Sequence, residues 1–168
     1  MADIHSLTSE VTQMFDRWRT PLFRYLSTLG LIEHDAEEII QEVFLALFRH
    51  LKAGKPRDNL RGWVFRTAHN LALKLLTRRR VRVTGPEAFE LRVDPDPNPE
   101  QLAVARQQQA RLAAVYRALP ERERACLALR AEGFRYREIA EIQGMSLGSV
   151  AAALSRALGK LTQVEALL

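Results

Sequence analysis

The chain has 168 residues, is 47% hydrophobic and carries a formal charge of +5, which allows one domain or two small ones and favours an anionic partner. Its longest apolar run, Val43 to Phe48, is far too short to cross a bilayer, so we expect no membrane insertion. A single cysteine excludes an internal disulfide, and the sequence opens without a basic and apolar leader, so we expect a protein of the reducing cytoplasm.

The N-terminal stretch predicts helices. Thr20 and Pro21 resemble an N-cap followed by a proline in the first helical position, which predicts two helices over about 7–19 and 21–29. A third helix is predicted over about 34–51, because apolar residues recur there at three- and four-residue spacing. Its first part is acidic, with five acids and no Lys or Arg between Glu33 and Glu42.

The following stretch is basic, with ten Lys or Arg against one acid between Lys52 and Val83. Helical spacing predicts one buried face, made of Leu60, Trp63, Val64, Thr67, Ala68, Leu71 and Leu75. A stripe of polar residues at i, i+4 spacing runs beside that face and consists of Arg66, Asn70, Lys74 and Arg78. Such a stripe can follow a phosphate backbone, whereas Trp63 is better explained as a core residue than as a stacking platform.

Four of the seven prolines fall between Gly85 and Pro99, which predicts a linker over 84–98. The linker divides the chain into an N-terminal domain, 1–83, and a C-terminal domain, 99–168. Helices are predicted near 99–118, 121–131, 136–143 and 147–163. The expected fold class is therefore all-α, with two small helical domains joined by a Pro-rich linker.

The segment from Tyr136 to Leu161 predicts a helix-turn-helix. This motif needs a small residue where the helices cross, a glycine in the turn and an apolar anchor in the second helix, and Ala140, Gly144 and Val150 have that spacing. Ser146 is suited to cap the second helix, whose N-terminal part would enter the major groove. A structural helical hairpin is the alternative interpretation.

Segments in both predicted domains resemble those of a known protein family. ALPERERACLALRAEGFRYREIA, at 118–140, is similar to region four of RNA polymerase sigma factors of the extracytoplasmic-function group, with its Leu-Pro, its Arg124 and the Glu-Ile-Ala that opens the helix-turn-helix. DAEEIIQEVFLALFRHL, at 35–51, and NLRGWVFRTAHNLALKLLTRRR, at 59–80, resemble region two. The resemblance covers about 10–165. It implies a sigma factor that binds core RNA polymerase and directs promoter recognition, DNA melting and transcription initiation, and that is not an enzyme.

The resemblance also implies contact residues. For the clamp helices of the polymerase beta-prime subunit it implies Glu38, Gln41, Glu42 and Phe48, and the further candidates are Asp35 and Leu45. From charge alone, the acids would be interpreted as a solvated helix face. The contact residues for the minus-10 element are Asn59, Arg61, Trp63, Arg66, Asn70, Lys74, Arg78, Arg79 and Arg80. Among them Asn70, with the segment from Lys55 to Leu60, would hold a base flipped from the non-template strand.

The corresponding candidates for minus-35 DNA lie in the C-terminal domain and are Arg135, Arg137, Ser146, Ser149, Ala151, Ala152, Ser155, Arg156 and Lys160. Ala151, Ala152 and Ala153 stand where the family usually has basic or polar side chains. Alanine can touch a thymine methyl group but forms no hydrogen bond to a base. We therefore expect weak minus-35 recognition, with specificity resting on the first domain or on DNA shape.

Two alternatives belong to other function classes: a helix-turn-helix regulator that acts without core polymerase, and a sigma-like adaptor with weakened DNA binding. Partners implied by the resemblance are core RNA polymerase, including its beta flap, promoter DNA and an anti-sigma factor. No cofactor or metal is expected, because the four histidines are scattered and Cys126 stands alone in an apolar helix, as a small core residue does.

Overall fold

The computed structural model describes residues 3–79 and 99–166, and all regular structure in these ranges is helical, which confirms the all-α class. The helices are α1 (Ile4–Thr28), α2 (Glu33–Lys52), α3 (Leu60–Arg79), α4 (Pro99–Ala118), α5 (Glu121–Ala131), α6 (Tyr136–Gln143) and α7 (Leu147–Glu165). The predicted linker, 84–98, lies entirely outside the described residues, and α4 begins directly after it.

The prediction of two helices before residue 30 is wrong, because α1 runs without a break from Ile4 to Thr28 with Pro21 inside it. Proline lacks one backbone donor, so it removes one helical hydrogen bond. The residues that follow it, Leu22, Tyr25 and Leu26, are almost completely buried. Their burial against the rest of the fold outweighs the lost bond and keeps the helix continuous.

Helices α2 and α3 form an antiparallel hairpin that packs on α1. Acids in the first turn of α2 and bases in its last turn complement the helix dipole. The apolar face predicted for α2 is buried at Ile39, Ile40, Val43, Phe44, Leu47 and Leu51, whereas its remaining member, Phe48, is only partly buried.

The buried surface of α3 is wider than predicted. Val64 and Ala68 are buried as expected, but Phe65, His69 and Ala72 are buried too, while Leu60, Trp63, Leu71 and Leu75 are only partly buried against the core. The additional face exists because α3 packs on α6 of the C-terminal half as well as on α1 and α2.

The C-terminal half contains the predicted helix-turn-helix in α6 and α7. Gly144 adopts the left-handed conformation, with φ 64°, and ends α6. Ser146 caps α7 by accepting a hydrogen bond of 3.1 Å from the Ser149 amide, and Val150 is fully buried. Cys126 is also buried, which confirms it as a core residue.

The N-terminal half (α1–α3) and the C-terminal half (α4–α7) pack directly on each other. Helix α1 contacts α5, and α3 contacts α6. Buried residues of both halves form one continuous hydrophobic cluster. The protein is therefore closed, with both DNA-binding candidates, α3 and α7, in one compact body.

Candidate polymerase and nucleic-acid interface

The outer face of α2 carries the predicted polymerase contacts. Glu38, Gln41 and Glu42 are exposed. Leu45, one turn after Gln41 and Glu42, is 51% exposed. Glu38 lies 3.1 Å from the His34 imidazole one turn earlier. Phe48 is partly buried and packs against the core. The face is thus an acidic surface with an apolar centre.

Asp35 does not belong to that exposed face, although it was predicted as a polymerase contact. It is only 3% exposed, and both of its carboxylate oxygens accept hydrogen bonds from the Arg79 guanidinium. A carboxylate buried in this way is not available to a partner protein.

The stripe on α3 lies on the surface. Arg66, Asn70, Lys74 and Arg78 are all exposed on successive turns. At the N-terminal end of the helix, Asn59 has a φ of 51° and accepts a hydrogen bond of 3.2 Å from the Gly62 amide. Asn59 therefore stabilises the start of α3. Arg80, which was predicted to extend the stripe, lies outside the described residues.

Trp63 is partly buried at the edge of the core, as expected of a core residue. Its indole packs against the His50 ring with a centroid distance of 4.9 Å. His50 Nε2 is in turn 2.7 Å from the carbonyl oxygen of Pro56. The contact fixes the turn between α2 and α3.

Arg61, a predicted minus-10 contact, lies between the two halves. Its guanidinium sits 4.3 Å from the centroid of the Phe134 ring and donates a hydrogen bond of 2.6 Å to the Glu132 carbonyl oxygen. Glu132 also accepts a hydrogen bond of 2.9 Å from Arg24. In the closed form, Arg61 is thus engaged within the protein and is not presented to DNA.

A buried polar network also joins the halves. Gln143 Nε2 donates to the Tyr25 hydroxyl at 2.6 Å, and that hydroxyl lies 2.7 Å from His69 Nδ1. Because the hydroxyl oxygen accepts from Gln143, its proton is free to be donated to a neutral His69 ring. Burial accordingly lowers the pKa of His69 to about 4 and raises the pKa of Tyr25.

The N-terminal part of α7 exposes Ser149, Ala151, Ala152 and Ser155. Ala153 differs from its neighbours, because it is fully buried and belongs to the core. The unusual surface of the recognition helix therefore consists of two alanines and not three. Arg135 and Arg137 are exposed at the start of α6.

Two predicted minus-35 contacts form ion pairs within the protein. Arg156 and Lys160 donate hydrogen bonds of 2.9 and 3.1 Å to the carboxylate of Glu123 on α5. Burial raises the pKa of Glu123, but the hydrogen bonds from Arg156 and Lys160 outweigh that effect and the pKa lies below its usual value. Glu123 was not among the predicted site residues, although its position three residues before Cys126, on the apolar face of α5, indicates burial.

Within the ranges 3–79 and 99–166, no group of His, Cys, Asp and Glu side chains is arranged to hold a metal ion. No helix in the described part of the chain combines the length and the hydrophobicity needed to cross a membrane.

Comparisons with known proteins match both halves. The family model for Sigma-70 region 2 matches residues 14–82, and the model for Sigma-70 region 4 matches residues 109–161. RNA polymerase sigma factor CnrH of Cupriavidus metallidurans is 30% identical over 159 residues, which cover 89% of this chain and 83% of CnrH.

This chain belongs to the extracytoplasmic-function group of RNA polymerase sigma factors. It is 35% identical over 138 residues to ECF sigma factor SigE of Mycolicibacterium smegmatis, covering 80% of this chain but only 53% of SigE. The ECF sigma factor RpoE of Cereibacter sphaeroides is 28% identical over 163 residues, which cover 95% of this chain and 88% of that protein. Sigma factors are not enzymes in the usual sense.

The fold of this sigma factor is shared with two solved complexes. CnrH bound to the cytosolic domain of CnrY has a TM-score of 0.62 at 24% identity, covering 94% of this chain and 88% of that chain. RpoE of Bartonella quintana bound to the anti-sigma factor NepR has a TM-score of 0.70 at 18% identity, covering 92% and 96%. In this sigma factor, the region 2 match includes the α2–α3 hairpin, and the region 4 match includes α5, α6 and α7 as far as Leu161.

Proposed function

We propose that this sigma factor binds core RNA polymerase through α2 and promoter DNA through α3 and α7, and thereby directs promoter recognition, DNA melting and transcription initiation. The observation that carries the proposal is the α2–α3 hairpin. One of its helices exposes acids around Leu45, and the other exposes cations around Asn70. Such a hairpin suits a protein that holds polymerase and opened DNA at the same time.

The polymerase partner of α2 is a basic helical surface, which the family resemblance identifies as the beta-prime clamp helices. Glu38 and Glu42 complement its charge, and Leu45 supplies an apolar contact at the centre, the arrangement typical of an interface with a polar rim. Phe48 contributes from the edge of the core.

The DNA partner of α3 is the unpaired minus-10 strand. Arg66, Lys74 and Arg78 neutralise phosphates, so binding weakens as salt rises. Asn70 lies among them with a donor and an acceptor that match the edge of an extruded base. Trp63 and Asn59 act by shaping the helix start, and Arg61 becomes available only when the halves separate.

The minus-35 partner of α7 is held weakly. Ala151 and Ala152 offer no hydrogen bonds, and Glu123 neutralises part of the charge of Arg156 and Lys160. Ser149, Ser155, Arg135 and Arg137 remain for phosphates and bases.

The proposed domain division, cellular location, lack of catalytic activity and anti-sigma partner all rest on membership of the sigma factor family. Residues 1–83 and 99–168 act as two modules connected by 84–98. The protein works in the cytoplasm, where polymerase and DNA are found, and catalyses no reaction of its own. An anti-sigma factor restrains it, a proposal supported by the solved relatives, which are complexes with CnrY and NepR.

In vitro transcription with purified core polymerase tests the function. We expect transcripts from cognate promoters only when the protein is added, and a Glu42→Lys variant should reduce them by weakening the polymerase contact. Duplex DNA binding without core polymerase, combined with no transcripts, would overturn the proposal in favour of an autonomous regulator. Polymerase binding without promoter-specific transcripts would instead indicate an adaptor.

A further inference from the structure

Asp35 and Arg79 form a bidentate ion pair across the open end of the α2–α3 hairpin. Asp35 lies in the first turn of α2, and Arg79 is the last residue of α3. The second of their two hydrogen bonds, from Arg79 Nη2 to Asp35 Oδ1, measures 3.2 Å. Asp35 is 3% exposed, and within the described residues Arg79 is its only side-chain partner.

The other end of the hairpin is fixed by a different contact, the packing of His50 against Trp63 at 4.9 Å. The exposed face of α2 and the stripe on α3 both lie between these two contacts. The register of one surface against the other is therefore set at both ends of the hairpin. A bidentate guanidinium fixes geometry more strictly than an ammonium group, because its two donors must align with both carboxylate oxygens.

We propose that Asp35 and Arg79 are a positioning pair, which holds the DNA-binding stripe of α3 in register with the polymerase-binding face of α2. This inference rests on the proposed function and assigns neither residue a direct contact with a partner. Asp35 is too buried to reach polymerase. Arg79 is turned toward Asp35, and freeing it for a phosphate would leave a buried carboxylate without a counter-charge, which is strongly unfavourable.

The test compares Arg79→Met, Arg79→Lys, Asp35→Asn and the double variant Asp35→Asn/Arg79→Met, with Arg78→Met as the matched control. Arg78 is the neighbouring cation in the same last turn and has an exposed side chain. The full-length proteins are assembled with core polymerase on a promoter that carries a fluorescent base in the minus-10 element. Core affinity, the rate of base unstacking and the salt dependence of promoter affinity are measured for each.

For a positioning pair, Arg79→Met and Asp35→Asn each slow unstacking by about tenfold, and the double variant shows no further loss. Arg79→Lys slows it too, since lysine keeps the charge but loses the bidentate geometry. Core affinity and the salt slope remain those of the unmodified protein. Arg78→Met behaves differently, because it lowers the salt slope by about one.

Two outcomes would overturn the inference. In the first, Arg79→Met lowers the salt slope as Arg78→Met does, while Arg79→Lys and Asp35→Asn unstack the base at the normal rate. In the second, the losses of unstacking rate in the two single variants multiply in the double variant. Arg79→Lys decides the question by itself if Asp35→Asn lowers the folded fraction measured by circular dichroism. Failure of the unmodified protein to give promoter-specific transcripts would instead overturn the proposed function.

Discussion

His69 is a buried imidazole whose neutral form the fold requires. Its Nδ1 accepts a hydrogen bond from the Tyr25 hydroxyl, which is oriented by Gln143 of the other half. Protonation would place a second donor opposite the hydroxyl and a charge in an apolar environment, and burial therefore lowers the pKa of His69 to about 4. The unfolded chain binds the same proton at the ordinary histidine pKa.

We expect the free energy of unfolding to be independent of His69 above about pH 6.5 and to fall as the pH drops toward 4, because the unfolded state then binds more protons. A His69→Gln variant should lose this part of the pH dependence while keeping a hydrogen-bonding side chain. Denaturant unfolding at a series of pH values measures it. An identical pH dependence in both proteins between pH 6.5 and 5 would contradict the prediction.

Asn70, next to His69 but exposed, is expected to contribute base recognition. Asn70→Ala should reduce minus-10 discrimination by about tenfold, the order of one lost bidentate base contact, while leaving the salt slope unchanged. Arg66→Ala is the control from the same stripe, and it should change the salt slope with little effect on discrimination. Promoter binding by the holoenzyme to matched and mutated minus-10 sequences, over a range of salt, separates the two effects.

Local sequence patterns predicted most of the helices. Those predicted near 121–131 and 136–143 have the observed bounds, because Pro120 and Gly144 mark ends that depend only on neighbouring residues. The helix break predicted at Pro21 was wrong, because a proline interrupts a helix only when burial of the flanking residues does not compensate for the lost hydrogen bond. The second buried face of α3 could not be predicted from local sequence either. It depends on Phe134, which is distant in sequence and whose ring centroid lies 4.9 Å from that of Phe65.

The same distinction applies to the candidate site. The exposed stripe of α3 and the surface of α2 follow from helical spacing within one segment. The ion pairs of Asp35 with Arg79 and of Glu123 with Arg156 do not, because each joins two helices whose packing no local pattern reveals. Asp35, Arg79 and Arg156 were therefore predicted to contact polymerase or DNA, although each forms an ion pair within the protein.

The recognition helix α7 has neighbouring alanines in opposite environments. Ala152 is exposed and Ala153 is fully buried, so Ala152→Arg should strengthen binding to minus-35 DNA by at least severalfold, through a phosphate or guanine contact. Ala153→Arg should instead destabilise the C-terminal half, because it places a charge in the core. Fluorescence anisotropy with minus-35 duplexes and thermal unfolding provide the two readouts. No gain in affinity for a folded Ala152→Arg protein would show that this face does not approach DNA.

In the closed protein, α3 and α7 are much closer to each other than the minus-10 and minus-35 elements of a promoter are. Helix α3 packs on α6, and α6 packs on α7, so the two proposed DNA-binding helices, α3 and α7, lie at most roughly 20 Å apart at the usual helix spacing. Elements at minus-10 and minus-35 are about 25 base pairs apart, or roughly 85 Å along B-form DNA. If α3 binds the minus-10 element and α7 the minus-35 element, as proposed, the halves must separate before both are bound, and this also releases Arg61 from Phe134 and Glu132.

Fluorescent labels at Ala53 and Gln163, which are exposed, should report this opening. In the free protein we expect them within about 40 Å, the diameter of a compact chain of this length. In the transcribing complex their separation should increase clearly. Arg61→Ala should widen the distribution in the free protein, because Arg61 bonds across the halves, whereas Arg57→Ala should not, because Arg57 pairs with Glu10 within the N-terminal half. An unchanged distance in a complex that makes transcripts would mean that the closed form itself binds the promoter, and α7 would then have no role at minus-35.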